Sequence, residues 1–262
     1  MKVALLGDTH GRENWIVYAL DRFAAEGLTT VIQVGDLGVW PGPTATRMWN
    51  RIDELLTHHG QTMMVAPGNH EDYDEIARLE ARDDGWLRFR DHILLAPRGH
   101  RTEIAGRSLC WLGGAASVDR GWRLAHQQLT GQRTWWAGEA ISDEDVQATI
   151  AGGPADIMVS HEAPQGVPSI EAAIQGNPHG FLPEDLAYAR ENRSRFTEAF
   201  NAVRPKLLLH GHYHRFVDEV ATFEGFNTHV FGLSQDGDPR SLAMLELTSL
   251  KPAALPDRPR AR

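Results

Sequence analysis

Five times along this chain a short apolar run stops at a segment rich in Asp, Asn or His. Val3-Ala4-Leu5-Leu6 stops at Gly7-Asp8-Thr9-His10-Gly11, and Val31-Ile32-Gln33-Val34 at Gly35-Asp36-Leu37-Gly38. Met63-Met64-Val65-Ala66 stops at Pro67-Gly68-Asn69-His70-Glu71. Later, Ile157-Met158-Val159 runs into Ser160-His161-Glu162, and Leu207-Leu208-Leu209 into His210-Gly211-His212-Tyr213-His214. Near-continuous apolar runs of this length read as strands covered on both faces, as in a parallel sheet. Helical patterns separate the first three. Trp15, Tyr18, Ala19, Arg22 and Phe23 share one face within residues 14–26, and Met48, Ile52, Leu55 and Leu56 share another between the Pro41-Gly42-Pro43 turn and Gly60. Strand–helix alternation implies right-handed crossovers, which bring successive strand ends to one edge of a sheet. That edge is where α/β folds place their ligands.

Past residue 90 the pattern changes. Residues 92–97, 101–104 and 108–112 read as short strands, the last two flanking an Ala105-Gly106-Arg107 hairpin turn. A polar stretch containing Trp122, Trp135 and Trp136 follows. Ser142-Asp143-Glu144-Asp145 then resembles a capping box opening a helix to about residue 150. Residues 156–160 read as a strand, 183–203 as a long helix closed by Pro205, and 206–209 as another strand. Residues 216–222, 229–233 and 242–247 alternate like antiparallel strands. The expected fold class is α/β, with one domain over residues 1–250 and a disordered Pro- and Arg-rich tail over 251–262.

Oxygen and imidazole donors without a thiolate suit a pair of divalent ions. Two such ions a few ångströms apart are a device for hydrolysing phosphate esters. The net charge of −9 counts against duplex nucleic acid, which calls for a basic face. It does not count against a small phosphate ester or nucleotide, because bound cations would reverse the sign locally. The apolar run after Lys2 is too short for a signal peptide, and no run is long enough to span a bilayer, so no membrane partner is expected. The single cysteine, Cys110, sits within Leu109-Cys110-Trp111-Leu112 and reads as a buried structural thiol in a reducing cytoplasm. Oligomeric state is left open.

The five segments, in order, resemble the calcineurin-like metallophosphoesterase family, with its succession Asp-x-His, Gly-Asp, Gly-Asn-His-Asp/Glu, His and Gly-His-x-His. They run from residue 7 to residue 214. The resemblance implies a β-sandwich of mixed sheets flanked by helices, in α/β/β/α layers. It implies one metal held by Asp8, His10, Asp36 and His214, and a second held by Asp36, Asn69, His161 and His212. His70 would be the catalytic histidine, giving a proton to the leaving oxygen or stabilising charge on phosphorus. A hydroxide bridging the ions would attack phosphorus in line. Manganese is the first candidate metal, with iron, zinc and cobalt admitted by the same donors. The glycine-anchored frame leaves His210 outside the ligand set; sliding it would make His210 and His212 the pair.

Asp36 is followed by Leu37-Gly38-Val39-Trp40, not by the Asp-Arg-Gly of the protein Ser/Thr phosphatase branch. The chain is closer in this respect to the bacterial and phage phosphodiesterases, which implies small nucleotide phosphodiesters such as cyclic nucleotides. The alternatives are a phosphomonoesterase or protein phosphatase with the same centre, or a metal-loaded interaction module. Arg120 and Arg123 are candidate phosphate clamps. Glu71 and Glu162 are candidates for orienting the ligands beside them, and residues 163–183 for covering the pocket.

Overall fold

Alternate residues of the apolar strands face different layers, and that alternation builds the architecture. The computed structural model describes residues 1–255. In chain order the strands are β1 (Lys2–Leu6), β2 (Thr30–Gln33), β3 (Thr62–Val65), β4 (Glu80–Ala81), β5 (Leu87–Arg88), β6 (Ile93–Leu95) and β7 (His100–Ile104). They continue as β8 (Arg107–Leu112), β9 (Ile157–Ser160), β10 (Leu207–His210), β11 (Val217–Phe223), β12 (Phe226–Gly232), β13 (Leu242–Glu246) and β14 (Lys251–Ala254). The α-helices are α1 (Glu13–Ala25), α2 (Pro43–His59), α3 (Tyr73–Ile76), α4 (Arg120–Thr130), α5 (Asp143–Ala151), α6 (Pro168–Ile174) and α7 (Pro183–Val203).

One sheet has the order β14-β13-β1-β2-β3-β6-β5-β4, the other β11-β12-β10-β9-β8-β7. Both are mixed. β1, β2, β3 and β6 run parallel in the first, β12, β10, β9 and β8 in the second, and antiparallel strands close the flanks of each. Val3 and Leu5 of β1 face Trp111, Val159 and Leu209 between the sheets. Ala4 and Leu6 face α1 and α2 on the outer side, packing near Ile16, Phe23 and Trp49. On the other sheet Cys110, Met158 and Leu208 face Phe196 and Phe200 of α7. The result is the α/β/β/α sandwich of mixed sheets. Burial pushes the Cys110 thiol up to about 11, as a structural thiol requires.

The capping box forms: Ser142 accepts from the Asp145 N–H, and the Asp145 carboxylate accepts from the Ser142 N–H. Three local differences from the sequence reading have packing causes. The polar Trp-rich stretch contains α4, whose N-terminus is tied down when Gly121 N–H donates to Asp185 of α7. The 163–183 segment holds α6 rather than only loop. Lys251–Ala254, expected in a disordered tail, pair with β13 as the edge strand β14, because β13 would otherwise present an open edge. Residues 256–262, the rest of that expected tail, lie outside the described residues. Among the described residues no helix is long and apolar enough to cross a membrane.

Candidate metal centre

Five of the parallel strand ends, three in one sheet and two in the other, contribute to one cluster. Asp8 and His10 follow β1, Asp36 follows β2, and Asn69 and His70 follow β3. His161 follows β9, and His212 and His214 follow β10. Oδ1, Oδ2 and the imidazole nitrogens meet at short range. His161 Nε2 lies 3.2 Å from Asp36 Oδ1 and 3.1 Å from Asn69 Oδ1. On the other side of the same carboxylate, His10 Nε2 lies 3.5 Å from Asp36 Oδ2. His214 Nε2 is 3.4 Å from Asp8 Oδ2. One donor atom from each of Asp8, His10, Asp36 and His214 falls within 4.8 Å of the others, the spacing of ligands around one cation. The His212 ring lies 5.1 Å from that of His161, tilted by 58°.

Three features fit this cluster to metal rather than to structure alone. Asp8 Oδ1 is buried with no hydrogen-bond partner, a need that a coordinated cation would meet. His10, Asp36, His212 and His214 all hold φ between 46° and 70°, a region costing about 1 kcal/mol or more per non-glycine residue. Close approach of backbone completes the cradle: a Cβ on Gly68 would sit 2.2 Å from Asp36 Oδ1, and one on Gly211 would sit 2.1 Å from Asp8 Oδ1. Neither position has room for a side chain.

Electrostatics follow from crowding. Burial raises the Asp8 carboxyl to about 7 despite His161 beside it. Burial would push His161 down, but the Asp36 and Asp8 carboxylates override it and raise the imidazole to about 10. His10 behaves alike: burial opposes, Asp36 and then Asp236 prevail, and it rises to about 9. Asp36 itself is held well below the usual carboxylate range, with His161 and His70 overcoming its burial. Divalent ions would take over the positive role these imidazoles play.

The donors are held by partners that sequence reading found only in part. Glu71 is fully buried, and its carboxylate accepts from the N–H groups of Leu37, Gly38 and Val39 at 2.7–2.9 Å and from Gly68 at 3.3 Å. It thereby clamps the Asp36 loop to the Asn69 loop. Glu162 accepts from Tyr213 Oη at 2.6 Å and from Asn192 Nδ2 at 3.2 Å, fixing the His212 turn. His161 Nδ1 lies 2.7 Å from the Val34 carbonyl, so Nδ1 carries the proton and Nε2 is left free to ligate. Asn69 Nδ2 donates to Ser117 Oγ at 3.0 Å, and Ser117 Oγ donates to Glu139 at 2.7 Å, which turns the Asn69 carbonyl oxygen toward His161.

Asp236 was missed. Its Oδ1 is 2.8 Å from His10 Nδ1 and its Oδ2 is 2.8 Å from Arg12 Nε. The signal was present: Ser234-Gln235-Asp236-Gly237 follows the apolar end of β12, the same pattern as the other strand ends. Ser117 lies in an irregular segment and Glu139 ends a short 3₁₀ turn, and neither gave one. His210 sits fully buried in the core with Nδ1 2.9 Å from the Gly211 carbonyl, outside the cluster.

The two candidate clamps part company. Arg123 Nη2 lies 2.7 Å from His70 Nε2, and its Nε pairs with Asp119 at 2.8 Å. Arg120 points elsewhere, with Nε 3.3 Å from Asp185 and its guanidinium 4.3 Å above the Tyr188 ring. Asp185 thus lies against Arg120, and of the two arginines only Arg123 lines the adjacent cavity. A cavity of about 980 Å³ opens beside Asp36, Asn69, His70 and His212 and is walled by Arg123, α7 and the segment around α6.

Asp236→Ala is expected to weaken metal binding about 10- to 100-fold, because His10 loses the acceptor that orders its ring. Competition against a calibrated chelator measures it; an unchanged affinity would remove Asp236 from the centre.

The model of the family of calcineurin-like phosphoesterases matches residues 1–216. No curated protein matches the chain. Among solved structures, a dimetal phosphatase from Danio rerio is similar in fold, with a TM-score of 0.53 and 12% identity over 94% of this chain and 92% of that one. An archaeal phosphodiesterase aligns over 97% of this chain and 98% of its own, at 14% identity and a TM-score of 0.44. Since the matched stretch spans every donor from Asp8 to His214, the chain belongs to the calcineurin-like phosphoesterase family of metal-dependent phosphoric ester hydrolases.

Proposed function

We propose that this phosphoesterase cleaves phosphodiesters of small nucleotides, cyclic nucleotides among them, at a centre of two divalent ions. The observation that carries the reading is the division of one carboxylate: Asp36 Oδ2 faces His10 while Oδ1 faces His161, beside Asn69. A ligand shared by two ions needs that geometry. Asp8, His10, Asp36 and His214 would hold the first ion, and Asp36, Asn69, His161 and His212 the second. Manganese is the first candidate, with iron, zinc and cobalt compatible with the same donors. When bound, the ions supply Lewis-acid charge to the phosphoryl oxygens and lower the pKa of a coordinated water toward about 7.

The chain's own groups orient and stabilise. Arg123 can only donate, so its contact with His70 Nε2 leaves that nitrogen as acceptor and the imidazole neutral. Burial, with Arg123 adding to it, holds His70 down to about 4 against the pull of Asp36. At neutral pH this supports hydrogen bonding and charge stabilisation at the reacting phosphoryl group rather than a stored proton. The cavity has room for both substituents of a diester. The absence of an Asp-Arg pair after Asp36 supports the diester branch over a phosphoprotein phosphatase. The supports run from Asp8 to Asp236, in line with residues 1–250 acting as one domain, and the single buried thiol of Cys110 suits the cytoplasm.

A substrate panel with added Mn(II) tests this: 2′,3′- and 3′,5′-cyclic nucleotides, a nitrophenyl phosphodiester and a phosphomonoester. Metal-dependent turnover, faster on diesters and stopped by chelation, is expected. Faster monoester turnover would move the assignment to the phosphomonoesterases. No turnover with any of the four metals would defeat the catalytic reading.

A further inference from the structure

Two of the four arginines lining the cavity beside the candidate centre are left without a partner among the described residues. The cavity's carboxylates outside the donor cluster are all engaged. Asp119 pairs with Arg123, Glu171 with Arg193 at 2.8 Å, and Glu162 with Tyr213 and Asn192. Arg123 and Arg193 are spent in turn, the latter also donating to the carbonyls of Ala163 and Pro164. Two lining guanidiniums remain, Arg190 on α7 and Arg215 immediately after His214. Among the described residues neither has a hydrogen bond or ion pair, and both are exposed to the cavity solvent. Arg190 shares the cavity face of α7 with Leu186 and Arg193, four and three residues away, so helical geometry turns all three the same way. Between the charges the wall is apolar, with Ile174 and Leu186, and it presents the Phe181 ring 5.7 Å from that of His179. At about 980 Å³ the space exceeds what one phosphate ester of a simple alcohol would fill.

We propose that Arg190 and Arg215 form a second anion subsite, so that the substrate is a phosphodiester whose alcohol carries a ring system and a further phosphate. The proposal rests on the phosphodiesterase reading for the reacting phosphate only. The ring lies against Phe181 and His179, and the second phosphate meets the two free guanidiniums, which grip such a group with paired N–H donors. Both arginines lie in a protein of net charge −9, so their field is local to the cavity.

The test is equilibrium binding by calorimetry, which needs no turnover. Thymidine 3′,5′-bisphosphate is compared with thymidine 5′-monophosphate on the full chain at low and high salt. The bisphosphate is expected to bind at least about tenfold tighter at low salt, with the gap narrowing as salt screens it. In the Arg190→Ala/Arg215→Ala chain the gap is expected to fall below about threefold, since each lost charged hydrogen bond removes roughly that factor or more. Equal affinities in the wild-type chain, or a gap that survives the double substitution, would overturn the subsite. Thymidine 5′-(p-nitrophenyl phosphate), with and without a 3′-phosphate, separates the two claims. A binding gap with no hydrolysis of either ester would keep the subsite and defeat the phosphodiesterase reading, while hydrolysis without a gap would do the reverse.

Discussion

Asp36→Asn should abolish turnover, by about a thousandfold or more, while leaving the fold intact. Loss of one well-placed donor already costs an enzyme about 100- to 1,000-fold, and this side chain faces both halves of the cluster. The substitution is clean because Asp36 sits at φ 53°, a region Asn tolerates about as well as Asp. The Asn oxygen can still accept from the His70 N–H, now 2.8 Å from Asp36 Oδ1. What disappears is charge. In the metal-free protein the His161 imidazole, raised to about 10 by Asp36 and Asp8 against its burial, should titrate at lower pH in the variant. Elemental analysis should find fewer than two ions per chain, with the secondary structure by circular dichroism unchanged. Full activity with two ions retained would sink the shared-ligand reading.

Glu71→Ala should be among the most destabilising single changes in the chain. The carboxylate accepts from three N–H groups at 2.9 Å or less and a fourth at 3.3 Å, all in the buried loops after β2 and β3. Alanine leaves those donors unpaired without water to replace them, at about 1–3 kcal/mol each before relaxation. A net loss of about 4 kcal/mol is expected, corresponding to a fall in melting temperature of about 10 °C for a chain of this size. Glu71→Gln keeps one acceptor oxygen but turns an NH₂ toward backbone donors, so an intermediate loss is expected. Thermal unfolding of the metal-free protein decides, because ligand binding then contributes nothing. A loss under about 1 kcal/mol for the alanine variant would show that the loops hold Asp36 without the clamp.

The helix over 183–203, the capping box at Ser142 and the hairpin at Ala105-Gly106 were legible because each is written in neighbouring residues. Helix α4 was not, since its sequence is mostly polar and its start depends on Asp185 far along the chain. β14 was hidden for a similar reason: Lys251-Pro252-Ala253-Ala254 has weak strand character and forms only because β13 offers an edge. At the site, Asp8, His10, Asp36, Asn69, His161, His212 and His214 announced themselves as donors at the ends of apolar runs. Glu71 stood next to one of them. Asp236 had the pattern but fell outside the five segments, and Ser117 and Glu139 had no pattern at all.

The order of strand ends and the donor types they carry follow from the sequence alone, because burial of an apolar run and the chemistry of the turn after it are local properties. Which donor faces which is a matter of tertiary structure. The pairing of His10 with Asp236, the turning of Arg120 toward Asp185, and the two unspent guanidiniums all depend on segments far apart in the chain. Packing the two sheets face to face, with the helices against them, brings those segments together, and no local pattern encodes that approach.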